Sequence, residues 1–510
     1  MSMLDDDTAL PRKNSFKGGL ILEKINDLRS ALDVLSKIDG QLVQTDVEAD
    51  PNAEISGVYR YVGAEGTVMR PTKEGPAMIF NNVKGHPDAR VVIGMLASRK
   101  RVGYLLGEKP ERLGFLLKDA VNHPVQPVTV SKEKAKCQEI VHLASEPGFD
   151  IRKLIPAPTN TEEDAGPYIT MGLCFATDPE NGDQDVTIHR LCLQSKDEIS
   201  MYFVPGGRHL TVFREKAEKA GKPLPISISV GVDPAICIAA CFEPPTTPLG
   251  YNELACAGAL RGEPVEMTKC VTIDELAIAN AEYVIEGELL PNVRVQEDMN
   301  SKSGKAMPEF PGYTGKAQPA IPVIKVKAVT TRKNPIMQTV IGPSGEHVNM
   351  AGLPTEASIL TMIDKAMPGR VQNVYCAPCG GGKYVAIIQF KKSIPSDEGR
   401  QRQAAILAFA AFSELKHVFL VDEDVDIFDM SDVMWAMTTR FQADSDLVTI
   451  PGVRTHPLDP SSDPTCSPSI RDHGIACKAI FDCTVPYDQK SRFQRSKFKE
   501  VDPKHWLPDF

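Results

Sequence analysis

The spacing of hydrophobic and polar positions changes along the chain, and each spacing predicts a different kind of structure. Residues 1–50 hold one helix-like segment, LILEKINDLRSALDVLSKI, whose apolar positions recur at helical spacing. Residues 55–120 mix strand-like and helix-like stretches, and the proline-rich stretch HPVQPVTV predicts a boundary near 123–130. From about 150 to 330, short apolar or alternating runs recur between glycine and proline turns. This region is therefore predicted to form a β-barrel or sandwich.

After residue 335, strand-like and helix-like stretches alternate as in an α/β unit. NPIMQTVIG, VQNVYCA, KYVAIIQF and HVFLV are expected to be strands, and EASILTMIDKAM and GRQRQAAILAFAAFSEL to be helices. Ser431 is expected to cap a further helix, DVMWAMTTR. The stretch after 450 has little periodicity and is expected to wrap over the surface or a partner subunit. The predicted parts are an N-terminal α/β region (1–130), a mainly β domain (131–332) and a C-terminal α/β domain with a tail (333–510).

Composition and charge narrow the class of protein. The chain has 510 residues, 42% hydrophobic and 24% charged, which is typical of a soluble globular protein of several domains. A net charge of −10 with interleaved signs argues against nucleic acid or an anionic membrane as the main partner. No apolar run approaches the ~20 residues that span a bilayer. The acidic N-terminus also lacks the apolar region of a secretory signal, so we expect a cytoplasmic protein.

Most of the 12 cysteines lie in apolar stretches, as buried reduced thiols do. The clustered pair Cys376 and Cys379 forms a CxxC motif, which is typical of thiol–disulfide oxidoreductases. The motif runs into three glycines and Lys383 between two predicted strands, and no second CxxC or CxxH lies near it to complete a zinc site. We interpret it as a coincidental pair in a hairpin connection and keep redox activity as the alternative.

Segment 283–313 places two carboxylates in an unusual setting. Glu297 closes a strand-like run, and Glu309 lies between proline and phenylalanine in MPEFPGY. These neighbours favour a poorly hydrated surround, which raises the pKa of a carboxyl because its charged form loses solvation. Such a group can donate a proton near neutral pH. The alternative is a surface loop with solvated glutamates.

The stretch DVTIHR carries further polar candidates on a predicted strand. Asp185 and His189 share one face of that strand, whereas Arg190 lies on the other. Asp185 and Arg190 serve one site only if the strand twists, bulges or begins after Asp185. The alternative is a barrel strand with a surface aspartate and a paired arginine.

Two more stretches offer ligand-type side chains. In PGGRH, the glycines permit close approach to a ligand, and Arg208 and His209 suit a phosphate or a metal. Glu253, in GYNELACAGAL, suits the first turn of a helix or a metal site. Aspartate, histidine and glutamate together favour Mn²⁺ or Mg²⁺ over structural zinc. A DxD within 418–429 resembles metal-dependent sugar transferases, but it equally fits an acidic strand end at a subunit contact.

Together these stretches resemble the UbiD family of decarboxylases. The similar motifs are DVTIHR, PGGRH, GYNELACAGAL, EYVIEGELLP, MPEFPGY and VDEDVDIFDMSDVMWAMTTRFQADSDL. CFEPPTTPLGYNELACAGA and IGPSGEHVNMAGLPTEASIL resemble the gallate and protocatechuate decarboxylase branch, and the resemblance covers nearly the whole chain. It implies a UbiD-like α/β (α+β) fold, with a central split β-barrel flavin-binding domain. An N-terminal α/β region and a C-terminal α/β oligomerisation domain would flank the barrel.

The resemblance implies reversible, non-oxidative decarboxylation of gallate or protocatechuate (3,4-dihydroxybenzoate) to the phenol and CO₂. It also implies prenylated FMN, Mn²⁺ (or Mg²⁺) and K⁺ as cofactors, a flavin prenyltransferase that supplies the flavin, and a homo-oligomer, either dimer or hexamer. Alternatives are a UbiD-like decarboxylase of another acid, cinnamate-type or 4-hydroxybenzoate, and a flavin-binding scaffold without catalysis.

The family's functional positions carry over residue by residue. The catalytic arginine falls on Arg190, the first catalytic glutamate on Glu297 and the proton donor on Glu309. His347 is a candidate for recognising substrate hydroxyls, and the alternative is that its stretch is a capped helix start. The metal ligands would be Asp185, His209 and Glu253. The cofactor-binding residues would be Asp185, Thr187, Ile188, His189, Arg190, Arg208, His209 and Glu253.

Three departures from the family pattern stand out. Many members have asparagine where this chain has Asp185. Relatives with a compact loop place the two catalytic acids five positions apart, whereas Glu297 and Glu309 are 12 apart (309 − 297), which predicts an insertion. Relatives also have a lysine near the cofactor, and Lys416 and His417 compete for that place.

Overall fold

A closed six-stranded β-barrel forms the centre of the computed structural model, which describes residues 24–204, 209–467 and 470–507. Its strands, in spatial order, are β12 (Tyr283–Val295), β9 (Leu224–Val230), β6 (Tyr168–Thr177), β7 (Gln184–Leu193), β8 (Glu198–Met201) and β15 (Ile321–Thr331). All neighbouring strands are antiparallel, and β12 pairs with β15 to close the barrel. The predicted barrel is confirmed. A seventh strand, β5 (Ile140–Leu143), pairs with β15.

Strand β7 keeps the regular alternation that its sequence predicts. Val186 packs into a core shared with helices of the N-terminal region, whereas Leu191 packs into a separate core on the other face. The irregularity lies in the neighbouring strand, where β6 between Ile169 and Gly172 has one residue more than β7. The residue of β7 that faces this bulge is Arg190. Bulges bend a strand and redirect side chains, and they are frequent beside functional sites.

The N-terminal region is a four-stranded sheet with four helices. In spatial order its strands are β1 (Leu42–Thr45), β2 (Ala77–Phe80), β3 (Arg90–Ile93) and β16 (Ile336–Thr339), and its helices are α1 (Leu28–Ser36), α2 (Glu54–Val62), α3 (Arg99–Leu106) and α4 (Leu113–Asn122). Strand β16 follows the barrel in sequence but pairs with β3 in parallel. The chain therefore returns to the N-terminal sheet after it leaves the barrel. Residues 20–23 of the predicted first helix lie outside the described residues.

Smaller elements surround the barrel. They are α5 (Ile151–Leu154), α6 (His209–Lys219), α7 (Pro234–Ala239) and α8 (Glu253–Arg261), a sheet of β11 (Leu276–Ile278), β10 (Glu266–Lys269) and β4 (Val128–Thr129), and the hairpin β13 (Lys305–Pro308) and β14 (Thr314–Lys316). Helix α8 begins at Glu253, as predicted, because the side chain of Asn252 accepts a hydrogen bond from the backbone N–H of Leu254.

The C-terminal region is a five-stranded sheet packed against three helices. Its elements are β17 (Val371–Cys376), β18 (Val385–Phe390), β19 (His417–Val421), β21 (Ile475–Asp482) and β20 (Leu447–Arg454), in spatial order, with α9 (Gly345–Ala366), α10 (Arg400–Ala411) and α11 (Met430–Arg440). The predicted alternation of strands and helices is confirmed. Among the helices of the described ranges, none is long and apolar enough to cross a membrane.

Two local predictions for this region are wrong. Ser431 does not cap α11. The helix is capped two residues earlier by Asp429, whose side chain accepts a hydrogen bond from the backbone N–H of Ser431. The stretch after 450 is also not irregular throughout, since β21 lies between β19 and β20. Its alternating core positions, such as Ala476 and Ile480, follow a long polar stretch that hides the periodicity.

Candidate active site

Arg190 lies between two carboxylates and lines a cavity together with one of them, Glu309. Its Nε and Nη2 donate to the two oxygens of Glu297 at 2.9 and 2.8 Å, and its Nη1 donates to Oε1 of Glu309 at 2.6 Å. The Tyr168 hydroxyl and the backbone N–H of Gln318 donate to Glu297 as well, both at 3.0 Å. Four donors therefore hold the Glu297 carboxylate, and this arrangement fixes the planar guanidinium beside Glu309.

The predicted insertion between the two acids folds back on itself. Glu297 lies two residues after the end of β12, and the carboxylate of Asp298 accepts from the backbone N–H of Gly304 at 2.7 Å. This contact closes a turn and leads the chain into the β13–β14 hairpin, where Glu309 follows β13. Because this turn brings the chain back towards Glu297, both Glu297 and Glu309 contact Arg190 although they are 12 positions apart in sequence.

Glu309 has the poorly hydrated surround that its neighbours in sequence predict. Only 12% of its side chain is exposed. Burial raises its pKa, and the nearby charge of Glu297 raises it further, whereas Arg190 and Lys383 oppose the shift; the pKa remains above its ordinary value. The group can therefore hold a proton at a higher pH than a solvated glutamate.

Asp185, His209 and Glu253 form a buried trio with the geometry of a metal site. Strand β7, the start of α6 and the start of α8 bring one ligand atom of each residue within 4.8 Å of the others. One oxygen of each acid and Nε2 of His209 are buried without a hydrogen-bond partner among the described residues. Burial and the nearby Asp185 raise the pKa of Glu253. Unpartnered buried ligand atoms and crowded acids fit a divalent cation that takes oxygen and nitrogen ligands.

The remaining cofactor positions lie between the trio and Arg190. Ile188 and His189 line the cavity with Arg190, and Thr187 is buried on the same strand. His189 donates from Nδ1 to the backbone carbonyl of Tyr202 at 2.9 Å, and the Tyr202 ring centroid lies 4.0 Å from the Arg190 guanidinium carbon. Arg208 lies outside the described residues.

The cavity is also lined by a second set of polar side chains, most of which the sequence interpretation did not identify. Lys383, His347 and His456 line it and surround the ring of Phe310. The ring centroids of His347 and His456 lie 5.6 and 4.6 Å from the Phe310 centroid, and Nζ of Lys383 lies 5.6 Å from it. Glu414 lies 3.4 Å from both Lys383 Nζ and His456 Nε2. His347 alone was singled out from sequence.

Lys416 and His417, the two candidates for the family's lysine position, are not among the residues that line this cavity. Lys416 instead donates to Asp459 at 2.6 Å and to the Ser461 hydroxyl, and His417 packs against Phe481. Lys383 ends the GGGK run of the β17–β18 connection, where Gly381 and its neighbours let the backbone pass within contact of Phe310. The run of three glycines before Lys383 was the feature of the sequence that could have indicated this close approach.

The CxxC pair lies in this same connection, as predicted. Cys376 ends β17 and is fully buried, and Cys379 is exposed in the turn that follows. Burial raises the pKa of Cys376 well above the ordinary value of a thiol. Because the thiolate is the reactive form, this environment opposes redox chemistry at Cys376.

Glu346, next to His347, is expected to make the protein less stable as the pH rises from 4.5 to 7. It is fully buried, accepts from the backbone N–H groups of Gly94 and Leu96, and has its pKa raised by burial to about 7. In this range the folded state keeps a proton that the unfolded state releases, so the free energy of unfolding falls with pH, by about 3 kcal/mol in all. Chemical unfolding of Glu346→Gln across this range should show a flatter profile. An exposed control, Glu48→Gln, should keep the wild-type slope, and an unchanged slope in Glu346→Gln would contradict the assignment.

Taken together, the fold and site define a barrel protein with a metal-binding trio beside an arginine–carboxylate cavity. Three family profiles of 3-octaprenyl-4-hydroxybenzoate carboxy-lyase match consecutive parts of the chain: the N-terminal domain at residues 35–121, the Rift-related domain at 128–345 and the C-terminal domain at 348–483. The chain belongs to the UbiD family.

Individual relatives are similar over almost the whole chain. It is 58% identical to gallate decarboxylase of Lactiplantibacillus plantarum over 93% of this chain and 97% of that protein. The apo structure of a 3,4-dihydroxybenzoic acid decarboxylase from Enterobacter cloacae is 58% identical, with a TM-score of 0.92 over 96% of this chain and 100% of that one. An evolved dimeric form of the UbiD-class enzyme HmfF from Pelotomaculum thermopropionicum, in complex with prFMN, is 33% identical, with a TM-score of 0.79 over 92% and 97%.

Proposed function

We propose that the protein is a carboxy-lyase that converts gallate or protocatechuate to the phenol and CO₂, reversibly and without oxidation. The observation that carries this proposal is the contact of Arg190 with both Glu297 and Glu309 in a cavity that also presents hydroxyl-binding side chains. The 58% identity to a gallate decarboxylase and to a 3,4-dihydroxybenzoic acid decarboxylase supports the substrate class.

The cofactors of this proposal are prenylated FMN, Mn²⁺ (or Mg²⁺) and K⁺. Asp185, His209 and Glu253 would hold the divalent metal, and the unpartnered atoms of the trio support that assignment. The flavin would be lined by Thr187, Ile188, His189, Arg190 and Arg208. When bound, the prenylated flavin supplies an electron sink for the electron pair that departing CO₂ leaves on the ring.

The side chains of the cavity have separate tasks in this proposal. Arg190, held in place by Glu297, binds and orients the substrate carboxylate. Glu309 donates its proton to the ring carbon that has lost CO₂, and its raised pKa keeps that proton available. His347, together with Lys383 and His456, binds the phenolic hydroxyls. The low exposure of Arg190 and Glu309 keeps water away from the reacting carbon.

Mn²⁺ is expected to stabilise metal-free protein through the trio. At a free concentration of 100 times its dissociation constant, the free energy of unfolding should rise by about 2.7 kcal/mol. Thermal unfolding with and without Mn²⁺ measures this effect. Glu253→Gln should abolish the Mn²⁺ effect yet stabilise the metal-free protein, since it removes the repulsion with Asp185. Glu275→Gln, which changes a buried glutamate outside the trio, should keep the effect; loss of the effect in both variants would reject the assignment.

One experiment tests the function directly. Protein co-produced with a flavin prenyltransferase is examined by ultraviolet–visible absorbance, and CO₂ release is then measured from gallate, protocatechuate, 4-hydroxybenzoate and a cinnamate. Flavin-type absorbance and fastest release from the first two acids are expected. Preference for a cinnamate or 4-hydroxybenzoate would favour the same-family alternative, and absence of both absorbance and release would reject the proposal.

The proposal extends to the enzyme's surroundings. A flavin prenyltransferase supplies the cofactor, the enzyme acts in the cytoplasm, and the C-terminal domain joins copies of the chain into a homo-oligomer, either dimer or hexamer. A dimeric form of one relative supports the proposal that the chain assembles with copies of itself.

We also propose that the chain divides into domains at residues 130 and 332. Strand β16 follows the second boundary but pairs with the N-terminal sheet.

A further inference from the structure

The loop that carries Glu309 is packed against two other loops with little space between their backbones. An ideal Cβ at Gly342 would lie 1.9 Å from the backbone oxygen of Pro308, and one at Gly66 would lie 2.3 Å from that of Pro343. A Cβ at Gly312, whose φ is +91°, would lie 2.8 Å from the backbone oxygen of Thr67. Three segments, 64–68, 308–313 and 341–345, therefore meet at distances that only glycine permits.

Thr67 is the polar side chain that joins these segments. Its hydroxyl donates to the backbone carbonyl of Phe310 at 2.6 Å and lies 3.3 Å from that of Pro343. Its own backbone N–H donates to the carbonyl of Pro343 at 2.8 Å. One residue of the N-terminal region thus contacts the residue after Glu309 and the segment that leads into α9.

The Thr67 loop is itself fastened to the helix before it. Arg60, on α2, donates to the backbone carbonyls of Met69 and Arg70 at 2.9 and 2.6 Å. Within the loop, the Thr72 hydroxyl accepts from the backbone N–H of Glu65 at 2.8 Å. These bonds hold the loop that carries Thr67 in place, so Thr67 can in turn fix the position of Phe310.

Thr67 adds a bond from another region to the turn that follows Glu309. The turn's own bonds run from Glu309 N–H to the carbonyl of Tyr313 and from Gly312 N–H to the carbonyl of Glu309, both at 2.9 Å. The carbonyl of Phe310 accepts from Thr67 in the middle of this turn. Without the Thr67 bond, the turn keeps these two bonds and the packing of the Phe310 ring, but its backbone can move enough to shift the Glu309 carboxyl relative to Arg190.

We infer that Thr67 is a positioning residue that fixes the Glu309 turn from the N-terminal region. The inference rests on the proposed function, in which Glu309 donates the proton. Misplacing a reacting group by about 1 Å can cost on the order of 100-fold in rate. Loss of the Thr67 hydroxyl should therefore lower kcat, whereas substrate binding through Arg190 and the hydroxyl-binding side chains should persist.

Three variants of the full-length holoenzyme test the inference. Thr67→Val, which replaces the hydroxyl by a methyl group, is expected to lower kcat for CO₂ release by about 10- to 100-fold, with KM within about twofold of wild type. Thr67→Ser restores the hydroxyl and should keep kcat within about twofold. Thr438→Val removes a hydroxyl that donates to the backbone carbonyl of Trp435 on α11, away from the residues that line the cavity, and should leave kcat unchanged.

Amide hydrogen exchange of segment 306–315 gives a second readout that needs no turnover. Thr67→Val should accelerate exchange there, whereas Thr67→Ser and Thr438→Val should not. Wild-type kcat and exchange in Thr67→Val, or equal losses in Thr67→Val and Thr438→Val, would overturn the inference. Should wild type release no CO₂, the proposed function fails, and the exchange measurement still decides whether Thr67 fixes the turn.

Discussion

Glu309→Gln is expected to lower kcat for CO₂ release from gallate on the order of 10³-fold, the range that general acids contribute. The amide has no proton acidic enough to transfer to the ring carbon. Its oxygen can still accept from Nη1 of Arg190, which donates to Oε1 in the wild type at 2.6 Å. Flavin absorbance and the substrate dissociation constant should therefore stay near wild-type values while product formation is lost.

A matched control separates proton donation from a general effect of the substitution. Glu163 pairs with Lys305 at the start of the same hairpin but is exposed, so Glu163→Gln should keep wild-type kcat. The pH dependence gives a further check, because the protonated form of Glu309 is the active one. Its raised pKa predicts that kcat falls as the pH rises through that value. Turnover near the wild-type rate in Glu309→Gln would exclude the proton-donor role.

Arg190→Met is expected to reduce both activity and stability. The variant loses the group that orients the substrate carboxylate, so kcat/KM should fall on the order of 100-fold or more. It also leaves the Glu297 carboxylate, whose side chain is 1% exposed, without its cationic partner. Removing one partner of a buried ion pair costs about 3–5 kcal/mol. Steady-state kinetics and chemical unfolding measure the two effects.

A double variant distinguishes the two losses. In Arg190→Met/Glu297→Gln, the unpaired charge of Glu297 is gone and only that of Glu309 remains, so part of the stability should return while activity stays low. In this variant the amide oxygen at position 297 can accept from either Tyr168 or the backbone N–H of Gln318, which donate to different oxygens of Glu297 in the wild type. Recovery of activity together with stability would mean that Arg190 acts on the fold rather than on the substrate.

Local sequence predicted most of the fold, because strand and helix periodicities survive wherever one face is buried. The barrel, the β17–β18 hairpin and the start of α8 follow from such patterns. Helix α9 was predicted as a helix from Glu356 onward, with a separate helix start near His347 as an alternative, and proline at 354 normally ends a helix. The structure continues the helix through this proline from Gly345, within a fully buried environment that a local pattern does not reveal.

Some residues of the site could likewise be predicted from the sequence, and others could not. The surround of Glu309 was predictable because its neighbours in sequence are also its neighbours in space. The positions of Arg190, Glu297 and the metal trio came from the family resemblance. Lys383 and His456 were missed because they join the cavity through the packing of the C-terminal sheet against Phe310, which no short stretch of sequence records.

The side chains of the cavity are supplied by different elements. Arg190 and Glu309 come from the barrel and its β13–β14 hairpin, whereas His347 lies on α9 and Lys383 on the β17–β18 connection. Under the proposed function, a substitution at His347 can therefore change which ring is accepted while Arg190 and Glu309 stay in place, whereas one at Lys383 also changes the pKa of Glu309. Helix α9 is accordingly the element from which substrate choice can be engineered separately from the reaction.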